Sequence, residues 1–194
     1  MEKEILNYLS KYARITEEIE KAIANSTIFR SFKKGTVLLR EGEVSKECFF
    51  VLKGCVRQYI LKDGEDRTVE FYTEERSVVP PNFGASTPSD CYFECSEETT
   101  VCVGNPELER ETFSKYPQLE SISRIIAEKI VLEQQVSMAK FKSANPEERY
   151  LNLLETRPDL IQRVPLHQVA TYLGIQPESL SRIRKRISKN SSIS

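Results

Sequence analysis

Near the carboxy terminus, cationic and hydrogen-bonding side chains recur at close intervals: Glu178, Ser179, Ser181, Arg182, Lys185, Arg186 and Lys189. Glu178, Arg182 and Lys185 follow one another at steps of four and three, so a helix places them on one side with Ser181 beside them. The chemistry offered by such a row is recognition. An arginine fork matches the O6 and N7 acceptors of guanine, and a glutamate accepts from cytosine N4. Ser179, Arg184, Lys185, Arg186 and Lys189 suit phosphate oxygens.

Other constellations offer less. The five cysteines, Cys48, Cys55, Cys91, Cys95 and Cys102, are odd in number and lie in strand-like sequence. They read as reduced, buried small hydrophobes and not as a disulfide framework. Cys91 and Cys95 fall four apart, which in a strand puts them on one face about 13 Å distant, too far to bridge. His167 is the only histidine, has no ligand cluster around it, and is expected at the surface or beside phosphate. Glu74-Glu75 and Glu97-Glu98 read as solvated turns and strand edges. No nucleophile is paired with a base and no glycine loop cradles phosphate, so the sequence suggests neither an enzyme nor a metal or cofactor site.

The elements that must position the basic row are legible. Leu166, Val169, Ala170 and Leu173 share one face of a short helix, and Gly174 ends it because glycine takes the left-handed conformation freely. Pro177 opens a second helix, with Glu178 complementing its dipole. Leu180, Ile183 and Ile187 form an apolar row expected to pack on Val169 and Leu173. Two helices separated by about three residues cross sharply, as in a helix-turn-helix. A merely solvated basic helix has no need of Gly and Pro at these offsets, nor of an apolar row opposite the charges.

The rest of the chain divides by texture. Ile5, Leu6 and Leu9 suggest one helix, and Thr16 caps another running to about Asn25. From Ile28 to about Val103, short β-branched and aromatic runs are punctuated by Gly35, Gly42, Gly54 and Gly64, the rhythm of antiparallel strands. Asp63-Gly64 is the clearest hairpin turn. Asn105-Pro106-Glu107 starts a helix broken before Pro117. A long helix follows, whose apolar residues, from Leu119 through Ile125 and Leu132 to Phe141, form an arc too wide for one partner surface. Such an arc suits the β domain on one side and a second copy of the chain on another. Asn145-Pro146 caps a further helix, and the break at Ser143 to Asn145 reads as a hinge.

At 194 residues, with 39% hydrophobic and 29% charged residues, the chain has the composition of a globular protein. The net charge of −1 hides an asymmetry: from Lys140 to Ser194 there are ten Lys and Arg against five Asp and Glu, leaving 18 against 24 before them. The positive end suits a polyanion. No apolar run is long enough for a bilayer and MEKEILNYLSKY is not a signal sequence, so a cytoplasmic protein with no membrane partner is expected.

Two stretches, KKGTVLLREGE…CFFVLKGCVRQYILKDGEDRTVEF and LHQVATYLGIQPESLSRIRKRI, resemble the β-roll and the DNA reader of the cyclic-AMP receptor protein and Fnr (Crp/Fnr) family of bacterial transcription regulators. The resemblance spans roughly Ile28 to Ile187 and implies a homodimer reading a palindromic site on double-stranded DNA, with RNA polymerase and a small-molecule effector as further partners. By that resemblance Glu178 and Arg182 read bases and Ser179 holds a phosphate. The implied fold is α+β: an antiparallel β-roll of jelly-roll type with flanking helices in residues 1–116, a dimerisation helix in 117–143, and an all-α helix-turn-helix domain in 144–194.

Two departures from the family pattern stand out. Where nucleotide-binding members carry a Gly-Glu and an Arg-Ser pair, SVVPPNFGASTPSDCYFECS has Pro80, Pro81 and Asn82, then Ser89 and Asp90. Without the arginine and beside an aspartate, a cyclic phosphate loses its bidentate contact, so neither cyclic AMP nor cyclic GMP is expected. The candidate effector pocket, Pro81, Asn82, Phe83, Asp90, Cys91 and Tyr92, either takes another ligand or is filled by Phe83, Tyr92 and Phe93. Only SKNSSIS follows Ile187, so no β-hairpin wing is expected and Lys189 carries more of the phosphate contact. The competing reading is a β-roll binding module whose helical tail contacts a protein; a metal-binding cupin lacks its histidines.

Overall fold

A computed structural model describes residues 1–81, 83–85 and 87–191. Two helices come first, α1 (Glu2–Leu9) and α2 (Glu17–Ser26). Eight strands follow: β1 (Ile28–Phe32), β2 (Val37–Leu39), β3 (Cys48–Lys53), β4 (Val56–Lys62), β5 (Glu65–Tyr72), β6 (Ser77–Val78), β7 (Tyr92–Cys95) and β8 (Thr99–Gly104). The remainder is helical: α3 (Pro106–Lys115), α4 (Pro117–Ser143), α5 (Pro146–Thr156), α6 (Leu160–Arg163), α7 (Leu166–Tyr172) and α8 (Pro177–Ser191).

Helices α2, α3 and α5 begin where the sequence supplies a side-chain oxygen. Thr16 accepts from the Ile19 amide, and Asn105 from the amides of Glu107 and Leu108. Asn145 accepts from Glu147 and Glu148, whose carboxylate accepts in return from the Asn145 amide at 2.7 Å, closing a capping box. Pro106, Pro117, Pro146 and Pro177 each stand first in their helix, where a missing N–H costs nothing.

The strands form two four-stranded sheets, ordered β1-β8-β3-β6 and β2-β7-β4-β5. Strand β8 pairs antiparallel with β1 and β3 and buries alternate residues, Thr99, Val101 and Val103, while Cys102 on its other face packs, half-buried, against the cluster formed by the helices. Asp63 and Gly64 join β4 to β5 with φ of 56° and 80°, the two positive values a two-residue hairpin requires. The architecture is thus the expected α+β arrangement of antiparallel sheets with flanking helices.

By contact the chain resolves into two compact units, residues 1–58 with 71–135, and residues 59–70 with those from 136 onward. In the first, Ile5, Tyr8, Leu9, Ile19 and Ala22 pack with Leu52, Tyr116, Leu119 and Ile122. The sheets of that unit bury Val51, Val56, Phe71, Phe93 and Val101. In the second, Tyr150, Leu153, Leu160, Val169, Leu173 and Leu180 are buried. Helix α6 has no counterpart in the sequence reading: four residues are too few for a period, yet Leu160 is wholly buried. Leu166, expected on the buried face, is exposed because it is the first residue of α7, ahead of the turn that packs.

Two features of the α4 region bear on function. Only Leu119 and Ile122 of its 27 residues are buried, while Ile125, Val131, Leu132, Val136 and Met138 are 44–62% exposed. The break after it is no free joint. Arg149 donates from Nε to the carbonyls of Phe141 and Ala144, both at 3.1 Å, and from Nη1 to that of Leu173 at 3.2 Å, with its guanidinium 4.1 Å from the Phe141 ring centre. One side chain thereby fastens the end of α4 to α5 and α7. The expected hinge at Ser143 to Asn145 is stitched across.

Candidate nucleic-acid interface

Helix α7 ends as its sequence directs. Gly174 has φ 70° and donates to the Thr171 carbonyl at 3.0 Å, and the Ile175 amide reaches back to Ala170 at 3.0 Å, satisfying the last carbonyls. The chain turns and α8 begins at Pro177. Leu180 and Ile183 of α8 are buried, as are Val169, Ala170 and Leu173 of α7, so the two apolar rows form the seam where these helices pack.

Opposite that seam Glu178, Ser181, Arg182, Lys185, Arg186 and Lys189 are all exposed, and Ser179 is half-buried. Arg182 donates from Nη2 to Ser179 Oγ at 3.1 Å, which holds the fork over the first turn of α8. Arg186 is engaged instead with Glu147, at the start of α5. Arg184 is half-buried and His167 exposed on α7. Seven side chains widely different in type therefore share one outward surface: an acceptor near its start and cations along the rest. Arg149 was not singled out by sequence, since an arginine bonding backbone carbonyls leaves no motif; its only signal is position, in the first turn of a capped helix just after the long one.

The effector-pocket candidates differ in exposure. Pro81 and Asp90 are exposed, Phe83 and Tyr92 half-buried, Cys91 buried, and Asn82 lies outside the described residues. Cys91 sits in a web of the protein's own groups. Ser89 Oγ donates to the Cys91 carbonyl at 2.9 Å and accepts from its amide at 3.2 Å. Gln58 Nε2 meets Cys91 Sγ at 3.3 Å, and the Tyr72 hydroxyl donates to Gln58 Oε1 at 2.9 Å. Phe93 is wholly buried, its ring 6.2 Å from that of Tyr72.

All five cysteines are free thiols, with Cys55, Cys91 and Cys95 buried. Burial pushes Cys95 and Cys102 up to about 11 and Cys48, with Glu109 adding repulsion, up to about 12. Burial also raises Cys91, against the opposing hydrogen bonds of Ser89 and Gln58. A thiol near 11 is ionised to only about one part in a thousand at pH 8. Alkylation of the native protein at pH 8 is therefore expected to be slow at every one of these four positions, to accelerate as pH rises, and to become fast on unfolding. A single rapidly labelled cysteine among them would contradict this.

No helix of the described residues is long and apolar enough to cross a membrane. Residues 29–115 match the cyclic nucleotide-binding domain family. No curated protein sequence matches the chain. Among solved structures, the c-di-GMP-responsive global regulator CLP of Xanthomonas campestris is 15% identical with a TM-score of 0.66, over 88% of this chain and 91% of that one. FixK2 from Bradyrhizobium japonicum is 20% identical, also with a TM-score of 0.66, over 85% and 86%. A CooA variant from Carboxydothermus hydrogenoformans is 13% identical with a TM-score of 0.63, over 86% and 78%. Residues 29–115 are thus similar to the cyclic nucleotide-binding domain, and over most of its length the chain has the fold shared by these three solved structures.

Proposed function

We propose that this protein is a cytoplasmic, homodimeric transcription regulator of the Crp/Fnr type that reads double-stranded DNA through a helix-turn-helix made of α7 and α8. The observation that carries this reading is the two-faced character of α8: Leu180 and Ile183 buried on α7, with Glu178, Ser181, Arg182 and Lys185 exposed on the other side. A palindromic operator then follows from the two-fold symmetry of a dimer. The uncovered apolar residues of α4, Ile125, Leu132 and Val136, fall within one arc of the helix, which supports pairing of α4 with its copy. The division of labour is a β-domain sensor in residues 1–116, a dimer helix in 117–143 and the reader from 144 on.

An effector in the β domain acts by population shift, favouring the dimer geometry in which both α8 helices meet successive major grooves. Cyclic AMP and cyclic GMP are poor candidates, because Ser89 is buried with its hydroxyl committed to the Cys91 backbone and Asp90 stands next to it. RNA polymerase is the partner that a bound activator engages.

The deciding experiment is selection of bound duplexes from a random DNA pool, followed by titration of the selected duplex against salt. The expected outcome is a palindromic consensus and a log–log salt slope of about −0.9 for each phosphate neutralised. If no duplex is retarded at low salt, the reading fails and a helical tail that binds protein replaces it.

A further inference from the structure

The outer half of the β4–β5 hairpin, residues 59–70, clusters with the helices from 136 onward and not with the rest of its sheet. Strand β5 is the last in the order β2-β7-β4-β5, and an edge strand presents backbone N–H groups with no ladder partner. Helix α7 meets that edge. The Thr68 amide donates to Thr171 Oγ1 at 3.1 Å, while the Thr171 hydroxyl donates its own proton to the Gln168 carbonyl at 3.1 Å. Thr68 itself is buried. Two residues further along β5, the Glu70 carboxylate accepts from Arg157 Nη1 at 2.9 Å, with the side chains 37% and 16% exposed. Arg157 is the residue that ends α5, its amide bonded to Leu153. Tyr172, the last residue of α7, senses both: burial raises its hydroxyl, Glu70 adds to the shift and Arg157 opposes it.

We propose that this hairpin is a positioning element of the DNA reader, with Glu70 and the Thr68 amide holding the ends of α5 and α7 so that α8, packed on α7, presents its outward face to the groove. The proposal rests on the DNA-reading function above. Its physical basis is that a recognition helix a fraction of an ångström out of place loses base contacts while keeping its charge. Positioning residues of this kind act through α7 and touch no DNA.

The test uses the full chain, the duplex selected above and a scrambled duplex of equal length. Glu70→Arg and Arg157→Glu are each expected to weaken binding to the selected duplex about tenfold, and the double exchange to restore it to within about threefold. Affinity for the scrambled duplex should move far less once the change in net charge is allowed for with Lys62→Glu and Lys62→Gln controls on the same hairpin. Thr171→Val, which keeps shape and charge and removes only the hydroxyl, is expected to weaken selected-duplex binding severalfold and to speed hydrogen exchange at the Thr68 amide, which is expected to be slow in the native chain. Single exchanges that leave the ratio of selected to scrambled binding unchanged, or a Thr68 amide that exchanges freely in the native chain, overturn the positioning role while leaving DNA reading intact. A native chain that retards no duplex overturns the functional reading itself, and the positioning role with it.

Discussion

Gly54→Ala is expected to destabilise the protein by about 4 kcal/mol, a large part of the roughly 5–15 kcal/mol that holds a domain folded. The reason is local and geometric. Gly54 has φ 101°, and a Cβ placed on it would stand 2.5 Å from the Glu98 carbonyl oxygen, 2.6 Å from Thr99 Oγ1 and 2.7 Å from Thr99 Cα. Two of the three are backbone atoms, so no rotamer change relieves the clash. Nor can that backbone retreat. Thr99 is wholly buried, its hydroxyl accepts from the Cys55 amide at 3.3 Å and donates to the Glu97 carbonyl at 3.0 Å, and the Ser96 amide is bonded to the Cys55 carbonyl at 2.8 Å. The Gly54 amide in turn donates to Glu74 Oε1 at 2.8 Å. Gly64→Ala is the control: φ there is 80°, yet nothing lies within 4 Å of the added carbon, so only backbone strain of about 1 kcal/mol is incurred. Urea unfolding followed by circular dichroism separates the two. Equal midpoints would show that crowding at Gly54 is not what the strand turn depends on.

This glycine shows how far the sequence could be read. Gly35, Gly42, Gly54 and Gly64 look alike as punctuation between strand-like runs, and the antiparallel rhythm they mark is present. What distinguishes Gly54 is the approach of residues 98–99, more than forty positions away, which no local pattern encodes. The same division runs through the molecule. Caps at Thr16, Asn105 and Asn145 were legible because a cap is a local contract between a side-chain oxygen and the next few amides. The seam of α7 and α8 was legible because periodicity and the Gly and Pro offsets sit within one short stretch.

Long-range polar fastenings were not legible. Arg149 bonds three carbonyls of α4, α7 and the intervening turn, and a carbonyl acceptor exists at every residue, so sequence cannot nominate which ones an arginine will find. The Thr68–Thr171 bond joins residues 103 positions apart. Glu147, readable as a first-turn acid of α5, is also the partner of Arg186, a side chain whose sequence position suggests phosphate alone. In each case tertiary structure, and not the local sequence, chose which donor met which acceptor.

The pairing of Arg186 makes the outward face of α8 chemically uneven, and Arg182→Ala tests the consequence. Arg182 is exposed and tied only lightly within its own helix, to Ser179 Oγ at 3.1 Å, so it can exchange that bond for a guanine edge at little cost. Its loss is expected to lower affinity for the selected duplex by about 2 kcal/mol, roughly 30-fold, and to relax the consensus at one base pair in each half-site, while binding to a scrambled duplex changes much less. Arg182→Lys should recover only part of this, because an ammonium keeps the charge and loses the fork. Lys185→Ala is the contrasting case: it should weaken both duplexes alike and reduce the salt slope by about one unit for each phosphate released. Arg186→Ala should fall between, since binding through Arg186 first requires its release from Glu147. Equilibrium titrations of the four variants on both duplexes, at two salt concentrations, resolve these signatures. Were Arg182→Ala to weaken selected and scrambled DNA equally, Arg182 would be a phosphate contact, and base recognition would have to be sought at Glu178 and Ser181 instead.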